Sequence, residues 1–270
     1  MKSEHSLAFT KTRYQNEFVF YPKDQIIGQS MYRYGEYQQF EIDFLLKHIN
    51  YDSIVWDIGA NIGVHACAFA SKAKQVHCFE PNQMHCEVLY MNIKANPGCE
   101  IFVYPQAVTN RKCQVIIENF DPEQISNYGT TKITQNPKHG DIVEADRLDN
   151  INIPAPHLIK IDVEGHEPEV LQGCEQTIVK NNPIVYMEAM SNCDRIYDFF
   201  ESKDYNLWWT CVMNYNVKNF KQEKENMFGN SAMFGLVAAP SQFNYTQLNK
   251  MQSRDEHWTT VFNAKDLSND

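Results

Sequence analysis

The sequence lacks the long apolar run that a membrane-spanning helix needs. No window approaches roughly 18 consecutive apolar residues, and the N-terminal segment has no apolar core long enough for a secretory signal. The eight cysteines include no C-x-x-C pair, so neither a thiolate metal site nor a disulfide framework is expected. These absences predict a cytoplasmic protein whose cysteines are reduced thiols packed in the core.

Basic charge is also scarce. The chain has 24 Lys+Arg against 34 Asp+Glu, which gives a formal net charge of −10. Binding to nucleic acid regardless of sequence, like adsorption to anionic lipid, requires a basic surface. We therefore do not expect nucleic acid or a membrane surface as a partner. The 270 residues, of which 43% are hydrophobic, are enough to bury a substantial core.

What the sequence does have is a regular alternation of two periodicities. Short apolar runs predict buried strands at 53–58, 75–79, 100–104, 157–161 and 184–187. Helical spacing between and around these runs predicts helices at 36–49, 64–72, 82–95, 167–179 and 195–202. Repeated strand–helix–strand units predict an α/β fold with a doubly wound, mostly parallel sheet that is covered on both faces.

Other segments interrupt this alternation. Residues 112–118 predict a strand paired in a hairpin with the segment before it, and 119–141 predict a long polar loop. Such a loop is either a lid that excludes water or a disordered insertion. Residues 207–212 and 232–238 predict a closing pair of strands.

The alternation also predicts how the chain is divided. We expect an N-terminal extension over 1–35, one domain over 36–240 and a C-terminal tail over 241–270. A homodimer is expected from base rates alone.

A glycine-rich turn follows the first strand of the alternation, in D-I-G-A-N-I-G, from Asp57 to Gly63. Glycine lets a ligand approach the backbone because no Cβ intervenes, and the helix that follows offers unpaired N–H groups. Glu80 ends the next strand about 20 residues later, where an acid suits ribose hydroxyls. Together these features predict a nucleoside-bearing cofactor at the carboxyl ends of the strands.

The turn departs from the dinucleotide pattern G-x-G-x-x-G, because Asn61 replaces the second glycine. Asp57 precedes the turn, and an acid there repels a pyrophosphate but attracts the ammonium of an amino-acid moiety. The pattern therefore favours S-adenosylmethionine over a nicotinamide cofactor. A nicotinamide-dependent oxidoreductase remains the alternative.

Three ionisable residues, Asp162, Glu164 and His166, follow the strand at 157–161 in D-V-E-G-H. Methyl transfer to oxygen is mainly a matter of positioning, and a base helps to remove the hydroxyl proton. Histidine suits that role near neutral pH, so we predict His166 as the general base. Glu164 or Asp162 would orient it or the substrate. The alternative is that the acids cap the helix that begins near Glu167.

Glu188 ends the next strand, in Y-M-E. We predict that it binds substrate hydroxyls. Asp162 and Glu188 at neighbouring strand ends would suit Mg²⁺, but no third ligand is evident, so a metal is not favoured. The aromatic residues Tyr205, Trp208, Trp209 and Tyr215 would form either a platform for a sugar or ordinary core.

Four stretches of the chain resemble the FkbM family of S-adenosylmethionine-dependent methyltransferases. They are V-W-D-I-G-A-N-I-G-V-H, H-C-F-E-P-N, H-L-I-K-I-D-V-E-G-H-E-P-E-V-L-Q-G and N-P-I-V-Y-M-E. The resemblance covers roughly residues 34–240, and its most specific part is I-D-V-E-G-H-E. It implies a Rossmann-like class I methyltransferase fold and O-methylation of a hydroxyl on a sugar, glycan, glycolipid or related small molecule. An RNA ribose 2′-O-methyltransferase ranks below this, because the strand end carries Glu188 and the chain is acidic.

The resemblance also implies where the cofactor lies. The methionine and ribose side would meet the turn, at Asp57, Gly59, Ala60, Asn61 and Gly63. Glu80 would take the ribose hydroxyls, while Pro81 and Asn82 flank the adenosine. Gln106 and Ala107 would contact adenine, and Tyr34 and Glu36 would reach back over the cofactor.

Overall fold

The computed structural model describes residues 7–95, 100–135, 140–189 and 191–262. Along the first part of the chain the elements are β1 (Ala8–Thr10), β2 (Phe18–Phe20), α1 (Ile27–Tyr34), α2 (Gln39–Leu45), β3 (Ile54–Ile58), α3 (Val64–Ala70), β4 (Gln75–Phe79), α4 (Gln83–Ala95), β5 (Ile101–Tyr104), β6 (Ala107–Val108) and β7 (Cys113–Glu118). They are followed by β8 (Ile133–Thr134), β9 (Gly140–Asp146), β10 (Leu158–Ile161), α5 (Glu167–Gly173), α6 (Glu175–Asn181), β11 (Ile184–Glu188), α7 (Cys193–Glu201), β12 (Tyr205–Met213), β13 (Ala232–Pro240), β14 (Asn249–Lys250) and α8 (Trp258–Val261).

The central sheet has eight strands in the order β14-β12-β13-β11-β10-β3-β4-β5. The five strands from β11 to β5 run parallel to one another, and β13 and β12 close the sheet as an antiparallel pair. The predicted doubly wound, mostly parallel α/β architecture is therefore confirmed. The predicted strands are all present, and their ends shift by no more than two residues.

Two apolar layers cover the two faces of this sheet. On one face Val55 and Leu158 pack with Leu45 of α2, Phe69 of α3 and Leu89 of α4. On the other face the strands pack against α5, α6 and α7, through side chains such as Trp56, Ile159, Leu171, Ile178 and Phe200. Strands that are buried on both faces need apolar side chains at nearly every position, which is why the apolar runs identified them.

A second sheet has four strands in the order β6-β9-β7-β8. The predicted hairpin of 112–118 with the preceding segment is wrong, because β7 pairs antiparallel with β8 and β9, which both follow it. The residues just before β7 form a bend and not a strand. β7 instead pairs with β9 at six positions, from Cys113↔Ala145 to Glu118↔Gly140. The predicted loop at 119–141 includes β8, the start of β9 and a short 3-10 turn, and its residues 136–139 lie outside the described part.

Helix boundaries differ from the prediction in two places. The helix predicted over 36–49 is α2, which begins at Gln39 and ends in a 3-10 turn at Leu46–His48. A further helix, α1, precedes it and ends at Gly35 in the left-handed conformation (φ 66°). The helix predicted over 167–179 is divided at Cys174 into α5 and α6. The predicted helix stop at 96–98 lies outside the described residues.

The chain on either side of the predicted domain is also folded. The predicted N-terminal extension contains the β1–β2 hairpin and α1, and the predicted tail adds β14 to the edge of the central sheet. Within the described ranges, every helix is too short or too polar to cross a bilayer. Cys78, Cys86, Cys174 and Cys193 are buried thiols, in agreement with the prediction for the cysteines.

Candidate active site

A cavity of about 310 Å³ lies at the carboxyl ends of the central strands. Its floor follows the ends of β3, β4, β10 and β11, because the carboxyl ends of parallel strands meet at one edge of a sheet. Its roof is the segment 127–133, which the small sheet carries, together with residues around α1 and α2. Segments that are far apart in the chain therefore surround the predicted site.

Glu80 marks one end of the cavity. Its side chain is largely buried, its Oε2 accepts the Asn61 N–H at 2.8 Å, and its Oε1 accepts the Asn82 N–H at 2.8 Å. A carboxylate has about four lone-pair sites, so about two remain for hydroxyl donors. Pro81, Gln106 and Ala107 line the same end. The structure thus brings four of the residues that the resemblance assigned to the adenosine together at this end, whereas Asn82 is not in the cavity lining.

The glycine turn forms the middle of the cavity wall through Gly59, Ala60 and Asn61. Gly59 has φ +79°, and a Cβ at this position would lie 1.8 Å from the Asp162 carbonyl oxygen. The turn is therefore pressed against the end of β10 as closely as a backbone allows. Gly63 is off the wall: it begins α3 with φ +92°, and a Cβ there would meet Leu89 Cδ1 at 2.5 Å. This glycine serves helix packing.

Asp57 is also off the cavity wall, and the expected contact with the cofactor is corrected here. It is fully buried (0% exposed), and Lys160, in the paired position of β10, places its Nζ 3.5 Å from Asp57 Oδ1. The same Nζ lies 3.2 Å from Asp162 Oδ2 and donates to the Gly59 carbonyl oxygen at 3.4 Å. Burial raises the pKa of Asp57, against the effect of Lys160. Asp57 therefore belongs to a buried charge group below the site.

Tyr34 and Glu36 do not reach the cavity either. The Tyr34 hydroxyl donates to the Glu225 carbonyl oxygen and accepts the Met227 N–H, both at 2.9 Å. Glu36 binds the Arg13 guanidinium at 2.7 Å. Both residues therefore connect the N-terminal part of the chain to the segment before β13. Tyr37 and Gln38, which follow them, line the cavity instead.

Three carboxylates, from Asp162, Glu164 and Glu188, gather at the other end of the cavity. One oxygen from each lies within 4.8 Å of the others. Burial and the neighbouring Asp162 raise the pKa of Glu188 well above its ordinary value. Burial opposes the charge of Asp162, yet Lys160 holds its pKa below the ordinary value. The two carboxyl groups are therefore shifted in opposite directions, Glu188 toward its protonated form and Asp162 toward its ionised form.

Glu164 is the third member, and it supplies the third possible metal ligand that was not evident from the sequence. Its backbone has φ +54°, and the Glu167 carboxylate supports this turn by accepting the N–H groups of Val163 and Gly165. Burial, Asp162 and Glu167 raise the pKa of Glu164 to about 7. The donor set suits a divalent cation or substrate hydroxyls equally.

His166 lines the cavity, but its contacts are not the predicted ones. Its Nε2 lies 3.0 Å from Thr109 Oγ1, and its Nδ1 lies 3.6 Å from Glu169 Oε2. Neither Asp162 nor Glu164 is therefore the group that orients it. Burial lowers its pKa, although Glu169 opposes that shift. The helix-capping alternative does not describe Asp162 or Glu164 either: the N-cap of α5 is His166, without a side-chain cap hydrogen bond, and Glu167 is the acid that binds the N–H groups of the preceding turn.

Sequence reasoning missed two groups. One is Lys160, whose signal is a lysine within the apolar strand L-I-K-I. The other is the pair of Glu41 on α2 and His65 on α3, which are 3.0 Å apart from Oε1 to Nε2. The predicted aromatic platform does not reach the cavity, because Trp208 and Trp209 are buried in the core. Asn214, Ser231 and Met233 line that side.

Comparison with known proteins identifies the family. A family model, the methyltransferase FkbM domain, matches residues 57–207, more than half of the chain. The chain belongs to the FkbM methyltransferase family. It is 32% identical over 150 residues to the hexuronic acid methyltransferase AglP of Haloferax volcanii, and the match covers 55% of this chain and 61% of that protein.

Solved structures with a similar arrangement include two methyltransferases. The FkbM methyltransferase of Methylobacillus flagellatus is 17% identical with a TM-score of 0.47, and the match covers 69% of this chain and 43% of that one. The tRNA m1G37 methyltransferase of M. jannaschii is 14% identical with a TM-score of 0.48, and the match covers 88% of this chain and 58% of that one.

Proposed function

We propose that this FkbM family member is an S-adenosylmethionine-dependent O-methyltransferase that acts on a sugar hydroxyl, with acidic sugars such as hexuronic acids as the first candidates. The observation that carries the proposal is one cavity with a single acid, Glu80, at one end and three acids, Asp162, Glu164 and Glu188, at the other. The family match supports methyl transfer. The name of the Haloferax volcanii relative supports an acidic sugar as the acceptor.

The residues present fit this cofactor. Glu80 would hold the ribose hydroxyls, with Pro81, Gln106 and Ala107 around the adenosine, and the close turn at Gly59 would let the sulfonium end approach β10. The bound cofactor would supply an electrophilic methyl group for in-line displacement by an acceptor oxygen. The match spans 61% of the relative's length, so the acceptor class is proposed here and not carried over as a property of this chain.

Two sets of side chains would serve the acceptor. Asp162, Glu164 and Glu188 would accept hydrogen bonds from its hydroxyl groups. His166 would take the proton of the reacting hydroxyl at Nε2, where that hydroxyl replaces the Thr109 contact, and Glu169 beside Nδ1 would position its ring. The three acids would suit a divalent cation equally well, and the expectation against a metal, the cytoplasmic location and the homodimer stay predictions.

Calorimetry with S-adenosylmethionine tests the cofactor. We expect binding by the wild-type chain and a loss of at least tenfold in affinity for Glu80→Ala, because a charged hydrogen-bond acceptor is removed. His166→Ala should bind the cofactor with unchanged affinity. Absence of binding by the wild-type chain would refute the proposed function.

A labelled-methyl assay on glycosides of neutral sugars and of hexuronic acids then tests the acceptor. Methylation of a hydroxyl is expected, and it should be lost in His166→Ala. Turnover that persists in that variant removes His166 from the mechanism. Turnover that requires an added divalent cation and stops when a chelator is added would show that the reaction depends on a metal.

A further inference from the structure

His65 and Glu41 form a buried ion pair beside the cavity that the proposed chemistry does not use. His65 Nε2 lies 3.0 Å from Glu41 Oε1, and both side chains are less than a tenth exposed. The contact is not an aligned hydrogen bond, and it is an ion pair when the imidazole is protonated. The Tyr186 hydroxyl donates to the other oxygen, Glu41 Oε2, at 2.7 Å. Glu41 is thus fixed from both sides, and it fixes the imidazole in turn.

His65 lines the cavity. Its Nε2 is buried beside Glu41 Oε1 without an aligned hydrogen bond, and a buried polar atom costs free energy unless a partner satisfies it. With Nε2 beside a carboxylate, the other ring nitrogen is left for a ligand in the cavity, and a protonated ring would donate its N–H there.

The position of His65 indicates which part of a ligand it meets. It lies on α3, which follows β3, and β3 lies in the sheet between β4 and β10. Glu80 follows β4 and marks the adenosine end, whereas Asp162 follows β10 and marks the acceptor end. If the adenosine and the sulfonium occupy those ends, the amino-acid part of the cofactor lies over the turn and the start of α3.

Four basic side chains line the cavity among the described residues: His65, Lys132, Lys160 and His166. Lys160 is already balanced by Asp57 and Asp162. Both ring nitrogens of His166 face protein atoms, and Lys132 is exposed on the roof. Of these four side chains, His65 is the one that a ligand's carboxylate at the cavity floor can reach without displacing a protein contact.

We propose that the His65–Glu41 pair binds the α-carboxylate of the methionine moiety and so selects a cofactor with an intact amino acid. The inference rests on the proposed function, because it needs S-adenosylmethionine in this cavity. Glu41 is a positioning residue, and His65 makes the contact.

Calorimetry with two ligands tests it: S-adenosylmethionine and its decarboxylated analogue, which keeps the ammonium and the sulfonium but has no carboxylate. The wild-type chain should prefer the intact cofactor by roughly 10- to 100-fold, the range of a hydrogen bond between charged groups. In His65→Gln this preference should fall to within about threefold, while the affinity for the analogue stays near the wild-type value. Glu41→Gln should lower the preference by a smaller factor, because it keeps the side chain but loses the charge.

His77→Gln is the matched control, because His77 is buried on β4 away from the cavity lining; it should keep the full preference. Circular dichroism establishes that each variant is folded, and if His65→Gln is not, Glu41→Gln decides the question. A preference that persists in the folded variants refutes this inference and leaves the proposed function intact. No binding of either ligand by the wild-type chain refutes the proposed function itself.

Discussion

Lys160 shows how one residue connects the core to the site. In the parallel register of β3 and β10 it lies directly beside Asp57, and its ammonium also holds Asp162, so two carboxylates depend on one cation. Burial opposes the charge of Lys160, but Asp162, Asp57 and Glu41 raise its pKa above the ordinary value. A charge so placed is costly to remove, since its partners stay buried.

We therefore expect Lys160→Met to lower the free energy of unfolding by about 3–5 kcal/mol, as for other buried pairs that lose one partner. Urea denaturation at neutral pH measures the change. Lys74→Met, on an exposed residue, should stay within about 0.5 kcal/mol of the wild type. A loss below about 1 kcal/mol for Lys160→Met would mean that water, rather than Lys160, compensates Asp57.

Glu188 gives a second prediction at this scale, in the pH dependence of stability. Its folded-state pKa is raised above the ordinary 4.5 by burial and by Asp162. Its contribution to stability is therefore complete below pH 4.5 and is lost as the pH rises toward the folded-state pKa. Glu188→Gln imitates the protonated form, so it should leave the melting temperature unchanged in mild acid and raise it by a few degrees in mild alkali.

Thermal melts across that pH range, with Glu100→Gln on an exposed glutamate as the control, test this dependence. The same gain for Glu188→Gln in acid and in alkali would show that charge repulsion at the acidic cluster is not the cause. A loss of stability in alkali would show that the ionised Glu188 has a partner that stabilises it.

At the scale of elements, the sequence predicted those features of the fold and of the site that are determined by residues close together in the chain. The strand runs, the glycine turn and Glu80 carry local signals, and the structure brings the turn and Glu80 together through the Asn61 N–H. The place of Asp57 depends on Lys160, which follows it by 103 positions in a register that no local pattern encodes. The pairing of β7 with β9 likewise crosses a polar segment without periodicity.

Helix ends were missed for a related reason. The helix predicted over 36–49 begins only at Gln39, because Gly35 and Gln38 both take the left-handed conformation and the chain turns there. Gly35 at the end of α1 has the expected signal of a helix C-terminus. Gln38 has none, since its conformation is imposed by packing over the cavity.

The roof segment 127–133 is joined to the rest of the fold by an aromatic stack. The rings of Phe120 and Tyr128 are stacked with centroids 4.3 Å apart, and Phe120 also stacks on His85 at 4.9 Å and meets the edge of Tyr21 at 5.4 Å. His85 is in α4, so the stack connects the roof to the helix behind Glu80. Removing the central ring should release the roof.

We expect Phe120→Ala to increase amide hydrogen exchange across 127–133 and to weaken S-adenosylmethionine binding several-fold, with little change in exchange of the central strands. Hydrogen-exchange mass spectrometry measures this. Phe102→Ala removes a stacked ring on β5, outside the cavity lining, and should leave the roof unchanged. Equal exchange in the roof of both variants would mean that the small sheet alone holds it.

At the scale of the whole molecule, the net charge of −10 acts on ligands before they reach the site. S-adenosylmethionine carries a net charge of +1 at neutral pH, whereas the demethylated product S-adenosylhomocysteine is neutral overall. An acidic protein attracts a cation over a distance comparable to the Debye length, and salt shortens that distance.

We expect the association rate constant of S-adenosylmethionine to fall several-fold between about 20 mM and about 500 mM salt, and that of the product to stay nearly constant. Stopped-flow fluorescence of the tryptophans, with each ligand in turn, measures both. If the two rate constants respond equally to salt, the acidic residues serve the solvated surface and the local site rather than steering, and the proposed function is unaffected.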